Sequence, residues 1–243
     1  MDILITIFLV VIILIVKFAV LNKIVIKMTG AIPLPEKEAP DIHAILKRLS
    51  KEASIPTPKI YFMHSHQPNA FAVGQSHSNA AIALTEKLMD ILDKKEIEGV
   101  IAHELAHIKN KDTLVSTATA VIAGLPNYFA RLILGGGKGG FGFFPRLITM
   151  IFAPLTAPLI RCAISRSREY NADKTGALIC KNPESLANAL LKMQKHPISS
   201  TMNVAPATSH LFIINPNAAL SLGRFFNTHP PVTERVKRLK EMK

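Results

Sequence analysis

Two histidines one helical turn apart, with an acid beside the first, constrain what this chain can fold into more than any other pattern in it: His103-Glu104-Leu105-Ala106-His107. Side chains four apart stack on one helix face with Cβ atoms about 6 Å apart, close enough for two imidazoles to share an ion. The flanking residues predict that helix. Asp93-Lys94-Lys95-Glu96 reads as a capping box, and Ile97, Val100, Ile101, Leu105 and Ile108 recur at helical spacing behind it. Two imidazoles and a carboxylate gathered beside an apolar stripe are costly when buried without a partner. A metal ion answers that cost. Zinc takes neutral imidazole nitrogens, and where it is catalytic it keeps one position for water, whose pKa it draws down to about 7. Glu104 is placed to take that water's proton.

A third protein ligand has to come from elsewhere. In one branch of this chemistry it is a histidine six residues past the second, after an intervening glycine, but those positions hold Thr113 and Asn110. The better candidate is Glu169 in Ser167-Arg168-Glu169-Tyr170-Asn171-Ala172-Asp173, on a second helix that carries Asp173 one turn later on the same face. Asp173 can accept an N–H from a ligating imidazole and so fix its tautomer. Read otherwise, Arg166, Arg168, Glu169, Asp173 and Lys174 form a solvated charged face. Ala172, Gly176 and Ala177 speak against that, because small residues beside the acids permit the close helix approach that a shared ion requires.

These motifs, together with Ile108-Lys109-Asn110-Lys111-Asp112-Thr113-Leu114, Asn69-Ala70-Phe71-Ala72-Val73-Gly74 and Thr228-His229-Pro230-Pro231 ending in Arg235, resemble the HtpX-type membrane zinc metalloproteases. That family also includes the CAAX prenyl proteases and the mitochondrial inner-membrane stress protease. The resemblance runs from about residue 35 to the C-terminus. It implies a mainly α fold with a small β-sheet (α+β), a zincin-like gluzincin catalytic domain with membrane-spanning helices. It also implies one Zn2+ held by His103, His107 and Glu169, with Glu104 as catalytic base in an endopeptidase acting on misfolded or damaged membrane proteins. His229 and Arg235 match family positions that can face the oxyanion. For Arg235 a structural salt bridge is the alternative, and for His229 a fourth ligand on the resting site. In this family an edge strand near Asn69, Ala70, Phe71, Ala72 and Val73 receives the substrate as an extended peptide; the same residues could merely build the sheet. Bacterial HtpX proteins usually place two spanning helices before the catalytic region, whereas one is visible here.

Length and composition fit one ordinary domain plus a few spanning segments: 243 residues, 49% of them hydrophobic. Residues 1–27 read as a membrane anchor. Ile3 to Val16 is uncharged and largely branched aliphatic, and the apolar character persists past Lys17 and Lys23 to Ile26. A cleaved signal peptide would carry its positive charge before the apolar run, but Asp2 precedes it and the lysines follow. Those lysines orient the N-terminus outward and the catalytic region toward the cytoplasm, so the expected location is the cell membrane, multi-pass. The catalytic domain would comprise residues 35–112 and 162–243, with residues 113–161 an inserted hydrophobic hairpin that turns at Gly135 to Gly140. Because the ligands on either side must meet at one ion, that insert crosses a bilayer twice or not at all; a folded soluble helix pair is the alternative. The net charge of +12 suits an anionic leaflet. Nucleic acid is not an expected partner, since no aromatic-basic module appears.

Coarser readings complete the chain. Asp41 caps a helix to Lys51, Lys59 to Met63 is a strand, and Ala70 to Val73 with Ala80 to Leu84 makes a hairpin. Asn182-Pro183 starts a helix to Lys195, and residues 197–227 read as a long loop over the cleft. His43, His64, His66, His77, His196 and His210 read as ordinary surface or turn residues, and Cys162 and Cys180 as reduced thiols. The glycine run at 135–140 lacks the order of a phosphate loop. Three classes of function remain: a membrane-anchored endopeptidase, an intramembrane protease, and a non-proteolytic membrane chaperone or scaffold with a structural metal. The lysines and acids around the motif favour a site outside the hydrocarbon. Another divalent ion could use the same two histidines and glutamate.

Overall fold

Alternation along the predicted hairpin decides how the layers stack. The computed structural model describes residues 21–133, 165–196, 206–214 and 230–242. Strand β3 (Ala70–Ser76) pairs antiparallel with β4 (Asn79–Thr85), from Ala70 opposite Leu84 to Gly74 opposite Ala80, with an irregularity before Ser76. The strands run closer to the turn than their apolar cores suggested. Ala70, Ala72, Ala80, Ile82 and Leu84 enter the main core, while Phe71, Val73, Ala81 and Ala83 enter a second cluster on the opposite face. Period-two alternation therefore holds, but with apolar residues on both faces, which makes the sheet a middle layer.

β4 also pairs in parallel with β2 (Lys59–Met63), and β2 carries the two-residue strand β1 (Ile32–Pro33) antiparallel. The sheet is mixed, in the order β1-β2-β4-β3, so β3 is an edge strand. On one face lie α2 (Pro40–Ala53), α3 (Glu86–Ile91), α4 (Lys94–Lys109), α6 (Arg166–Cys180), α7 (Pro183–Lys195) and α8 (Val232–Glu241). The other face is covered by α1 (residues 21–29), the start of α5 (Asp112–Ile133) and a 3-10 turn (Pro206–Leu211) with the residues after it. The expected class, mostly helical with a small sheet, is what forms.

Local signals explain most boundaries. Asp93 accepts the Glu96 N–H at 3.0 Å and donates its own N–H to Glu96 at 2.9 Å, the reciprocal capping box. α7 begins at Pro183 behind an Asn182 cap and ends at Lys195, as its sequence suggests. α2 differs from expectation: its N-cap is Ala39, with Pro40 in the first turn and Asp41 inside it, where a carboxylate still favours the helix dipole. It also continues past Lys51 to Ala53.

Residues 206–214, expected to belong to a featureless loop, instead pack on the sheet with Phe212 wholly buried. The first turns of α5 also pack inward: Thr117 and Ala120 are buried, and Thr117 Oγ1 accepts the Gly74 N–H at 3.1 Å. No helix among the described residues is long and apolar enough to cross a membrane. Most of the proposed anchor, the glycine turn, the second arm of the hairpin, Cys162 and His229 lie outside the described residues.

Candidate metal centre and active site

The centre is made where α4 and α6 touch. A Cβ added at Gly176 would lie 2.9 Å from the His103 backbone nitrogen, so only a glycine lets α6 come this close at the first histidine. Ala172 and Ala177 are buried in the same contact, as the run of small residues suggested. The result brings His103, His107 and Glu169 together with one potential ligand atom from each, all within 4.8 Å of one another. His103 Nε2 and His107 Nε2 face each other at 3.1 Å. Glu169 Oε1 lies 3.5 Å from His107 Nε2, and Oε2 lies 3.8 Å from His103 Nε2. Ligands about 2.0–2.1 Å from a tetrahedral ion stand roughly 3.3 Å apart, so this triangle fits a zinc-sized cation.

Each ring is held from behind by its own carboxylate. His103 Nδ1 lies 3.0 Å from Asp173 Oδ1, the partner read from the sequence. His107 Nδ1 lies 3.0 Å from Asp112 Oδ2, a partner the sequence reading missed. Both carboxylates therefore accept from Nδ1 and aim Nε2 at the common point, the ring orientation a metal needs. Asp112 gets there through a backbone reversal. α4 stops at Lys109, Lys111 adopts φ 63°, and α5 starts at Asp112, back beneath the second ring. A non-glycine residue in that region costs roughly 1–2 kcal/mol, which the surrounding contacts must offset.

Arg235 closes the inner side. It is completely buried, and its Nε and Nη2 grip Asp173 at 2.9 and 2.7 Å while Nη1 lies 3.6 Å from Glu169 Oε2. Of the two roles open to it, this is the geometry of a salt bridge that braces the ligand supports. Burial opposes charge on both partners, yet their mutual attraction wins: Asp173 is held down at about 2 and Arg235 is held cationic.

Burial pushes the Glu104 carboxyl up to about 7, opposed by His107 and a hydrogen bond from the Ala72 backbone. His103, also buried and only partly compensated by Asp173, is pulled down to about 4. His107 is opposed by burial as well, but Asp112, Glu169 and Glu104 outweigh it and lift the ring to about 9. The pocket around His107 thus carries surplus negative charge and draws a proton to its ring. A divalent cation held by His103, His107 and Glu169 would satisfy the same field in place of that proton.

Glu104, both histidines and Glu169 line one pocket with Ala72, His210 and Ile213. Among the strand residues singled out from sequence, Ala72 faces this pocket, whereas Phe71 and Val73 point into the second cluster and Asn69 bonds to Ile214. His210 is a correction to the sequence reading: it is buried rather than a surface residue, and its Nε2 donates to the Ser116 carbonyl at 3.1 Å. His43 likewise has a partner, the Leu34 carbonyl at 2.8 Å. Neither was legible, because both partners are backbone carbonyls supplied by tertiary packing.

Residues 36–243 match the family model described as Peptidase family M48. The chain belongs to that family. A Protease HtpX homolog from Pelotomaculum thermopropionicum is 45% identical over 231 residues, covering 91% of this chain and 82% of its own length. One from Syntrophobacter fumaroxidans is 47% identical over 233 residues, with 91% and 83% covered, and one from Thermococcus sibiricus is 44% identical over 234 residues, with 91% and 80% covered. Among solved structures, S. mikatae Ste24p shares the fold with a TM-score of 0.53 at 22% identity, across 97% of this chain and 57% of that one. Membership places the chain among metallopeptidases, and the triangle of His103, His107 and Glu169 is where a metal ion fits.

Proposed function

We propose that this protein is a membrane-bound zinc endopeptidase that hydrolyses peptide bonds, with misfolded or damaged membrane proteins as its substrates. The observation that carries the reading is the placement of Glu104: a buried carboxyl in one pocket with three converging ligands, beside the edge strand β3. His103, His107 and Glu169 would hold the ion, which when bound supplies a Lewis acid and a water acidified to about pKa 7.

The chain's own residues do the rest. Asp173 and Asp112 keep both rings in the ligating tautomer, and Arg235 neutralises Asp173 so that the inner support stays fixed. Glu104 accepts a proton at its carboxylate and returns it to the departing amine nitrogen. The substrate lies extended along the outer edge of β3, where main-chain pairing binds many sequences with little preference. Such tolerance suits a protease of damaged chains.

The membrane reading is supported by the uncharged run from Ile3 to Val16, the lysines after it and the net charge of +12. It includes the part of residues 113–161 beyond the sheet-packed first turns of α5 as a partly inserted hairpin, with the catalytic region facing the cytoplasm. The test pairs metal analysis with proteolysis of an unfolded membrane protein by wild type and Glu104→Gln. We expect one zinc ion per chain in both proteins and cleavage reduced by about 10²–10⁴ in the variant. Equal cleavage by the two would sink the mechanism.

A further inference from the structure

The edge of β3 is not open along its length. In its antiparallel ladder Asn69 accepts the Thr85 N–H at 3.0 Å, so Asn69, Phe71 and Val73 direct their backbone groups toward β4 and the alternate residues Ala70, Ala72 and Gly74 direct theirs outward. At the first outward position the Ala70 carbonyl accepts the Ile213 N–H at 3.0 Å. At the last, the Gly74 N–H is bonded to Thr117 of α5. Between them lies Ala72, whose backbone meets Glu104. A strap of residues 211–214 therefore occupies one end of the substrate edge, and α5 bounds the other.

The strap is held by a specific clamp. Asn69 Nδ2 donates to the Ile214 carbonyl at 2.7 Å, and the Ile214 N–H donates to Asn69 Oδ1 at 3.2 Å, so one carboxamide satisfies both backbone groups of one residue. Asn69 cannot swing away, because its own backbone is tied at both ends to Thr85 and its side chain is buried. Phe212 anchors the strap behind the sheet, 4.9 Å from Phe71 between ring centroids, and His210 pins its start to Ser116. Aspartate at 69 would keep an acceptor for the Ile214 N–H but lose the donor to its carbonyl.

We propose that the clamp between the Asn69 carboxamide and the Ile214 backbone makes Asn69 a positioning residue: it keeps the strap on the Ala70 end of β3 and so fixes which substrate bond reaches Glu104. The Ala72 N–H is donated to Glu104, so a substrate strand pairs with the outward Ala72 carbonyl and is stopped by the strap on one side and by α5 on the other. This inference rests on the peptidase reading above. Releasing the clamp lengthens the usable edge, so substrate binds more tightly and in more registers while the chemical step is unchanged.

The experiment uses full-length, metal-loaded protein in detergent, with β-casein as an unfolded probe whose products are mapped by mass spectrometry. In Asn69→Ala we expect faster hydrogen exchange at the Ile213 and Ile214 amides and cleavage sites absent from the wild-type map. KM should fall about fivefold, the worth of roughly one regained hydrogen bond, with kcat within about twofold. Asn69→Asp should lie between, as half a clamp. Faster exchange with an unchanged product map and KM overturns the proposal, and so does unchanged exchange. If Asn69→Ala does not fold, Ile214→Pro deletes the clamped N–H with Asn69 intact and must yield the same new sites; a wild-type map there also overturns it. A wild type that cleaves nothing defeats the peptidase reading itself, with the register proposal, whereas a cleaving wild type with an insensitive map defeats the register proposal alone.

Discussion

His103 and His107 sit one turn apart on the same helix and turn their Nε2 atoms toward each other, yet the protein treats them oppositely. The inner ring is 1% exposed, and burial holds it neutral to about pH 4 even though Asp173 touches it. The outer ring is 16% exposed and is lifted to about 9. The difference lies in what surrounds each supporting carboxylate. Asp173 raises the inner ring, but burial, His107 and the Arg235 that grips Asp173 outweigh it, whereas Asp112 acts with Glu169 and Glu104 on the outer one. An acid next to a histidine does not by itself set the charge of the ring.

The largest effect should come from breaking the inner support. Asp173→Ala strands a buried guanidinium, which should cost about 3–5 kcal/mol in urea denaturation and release the metal. Asp173→Ala with Arg235→Met should recover most of that stability but not the metal affinity. If the double variant is no more stable than the single one, Arg235 is not the brace described here.

Removing the metal tests the opposite electrostatics. Asp173, held below its unfolded value, adds stability as pH rises from about 2 to 3.8. From about 4 to 6.5 the unfolded chain binds more protons at His103, which raises stability with pH, while over about 4.5 to 7 the folded chain binds more at Glu104, which lowers it. These nearly cancel. His107, raised from 6.5 to about 9, contributes stability that is full below pH 6.5 and lost as pH climbs to 9. Melting curves of chelator-treated protein should therefore plateau between about pH 4.5 and 6.5 and then decline. The metal-loaded form should pull further ahead over the same alkaline range, because its ligands must be deprotonated. A gap that does not widen with pH would contradict the assignment of His107 as a ligand.

Breaking the outer support should be milder. Asp112→Asn is expected to weaken metal affinity about 10- to 100-fold, read by competition with a chelating dye, with a smaller loss of fold stability than Asp173→Ala, since Glu169 and Glu104 still face the His107 ring. The smallest effect serves as a control: Asp93→Ala removes the cap at the far end of α4 and should cost about 1 kcal/mol without altering metal affinity. If metal affinity fell as well, ligand orientation would depend on helix stability rather than on the two carboxylates.

Reading the sequence recovered elements whose cause is local. The capping box at Asp93, the Asn182-Pro183 start, the β2 strand and the β3-β4 hairpin depend on neighbours within a few residues, and each formed close to where its signal lay. Ala172, Gly176 and Ala177 announced a close helix contact because the absence of side-chain bulk is itself a local property. Asp112 stayed hidden, since a left-handed Lys111 had to reverse the chain before the carboxylate could reach His107. The strap stayed hidden for a related reason: its hydrogen bonds go to residues more than a hundred positions away, and no periodicity accompanies them.

By itself the sequence determined that two imidazoles share a helix face, that a second helix offers Glu169 and Asp173 one turn apart, and that small residues would let the helices meet. Tertiary structure alone decided which carboxylate stands behind which ring, that Arg235 is absorbed in holding Asp173, and that Asn69 closes part of the β3 edge. The division follows from range. Helical phase and steric bulk are written in neighbouring residues, whereas buried charge and backbone pairing depend on groups that only folding brings within hydrogen-bonding distance.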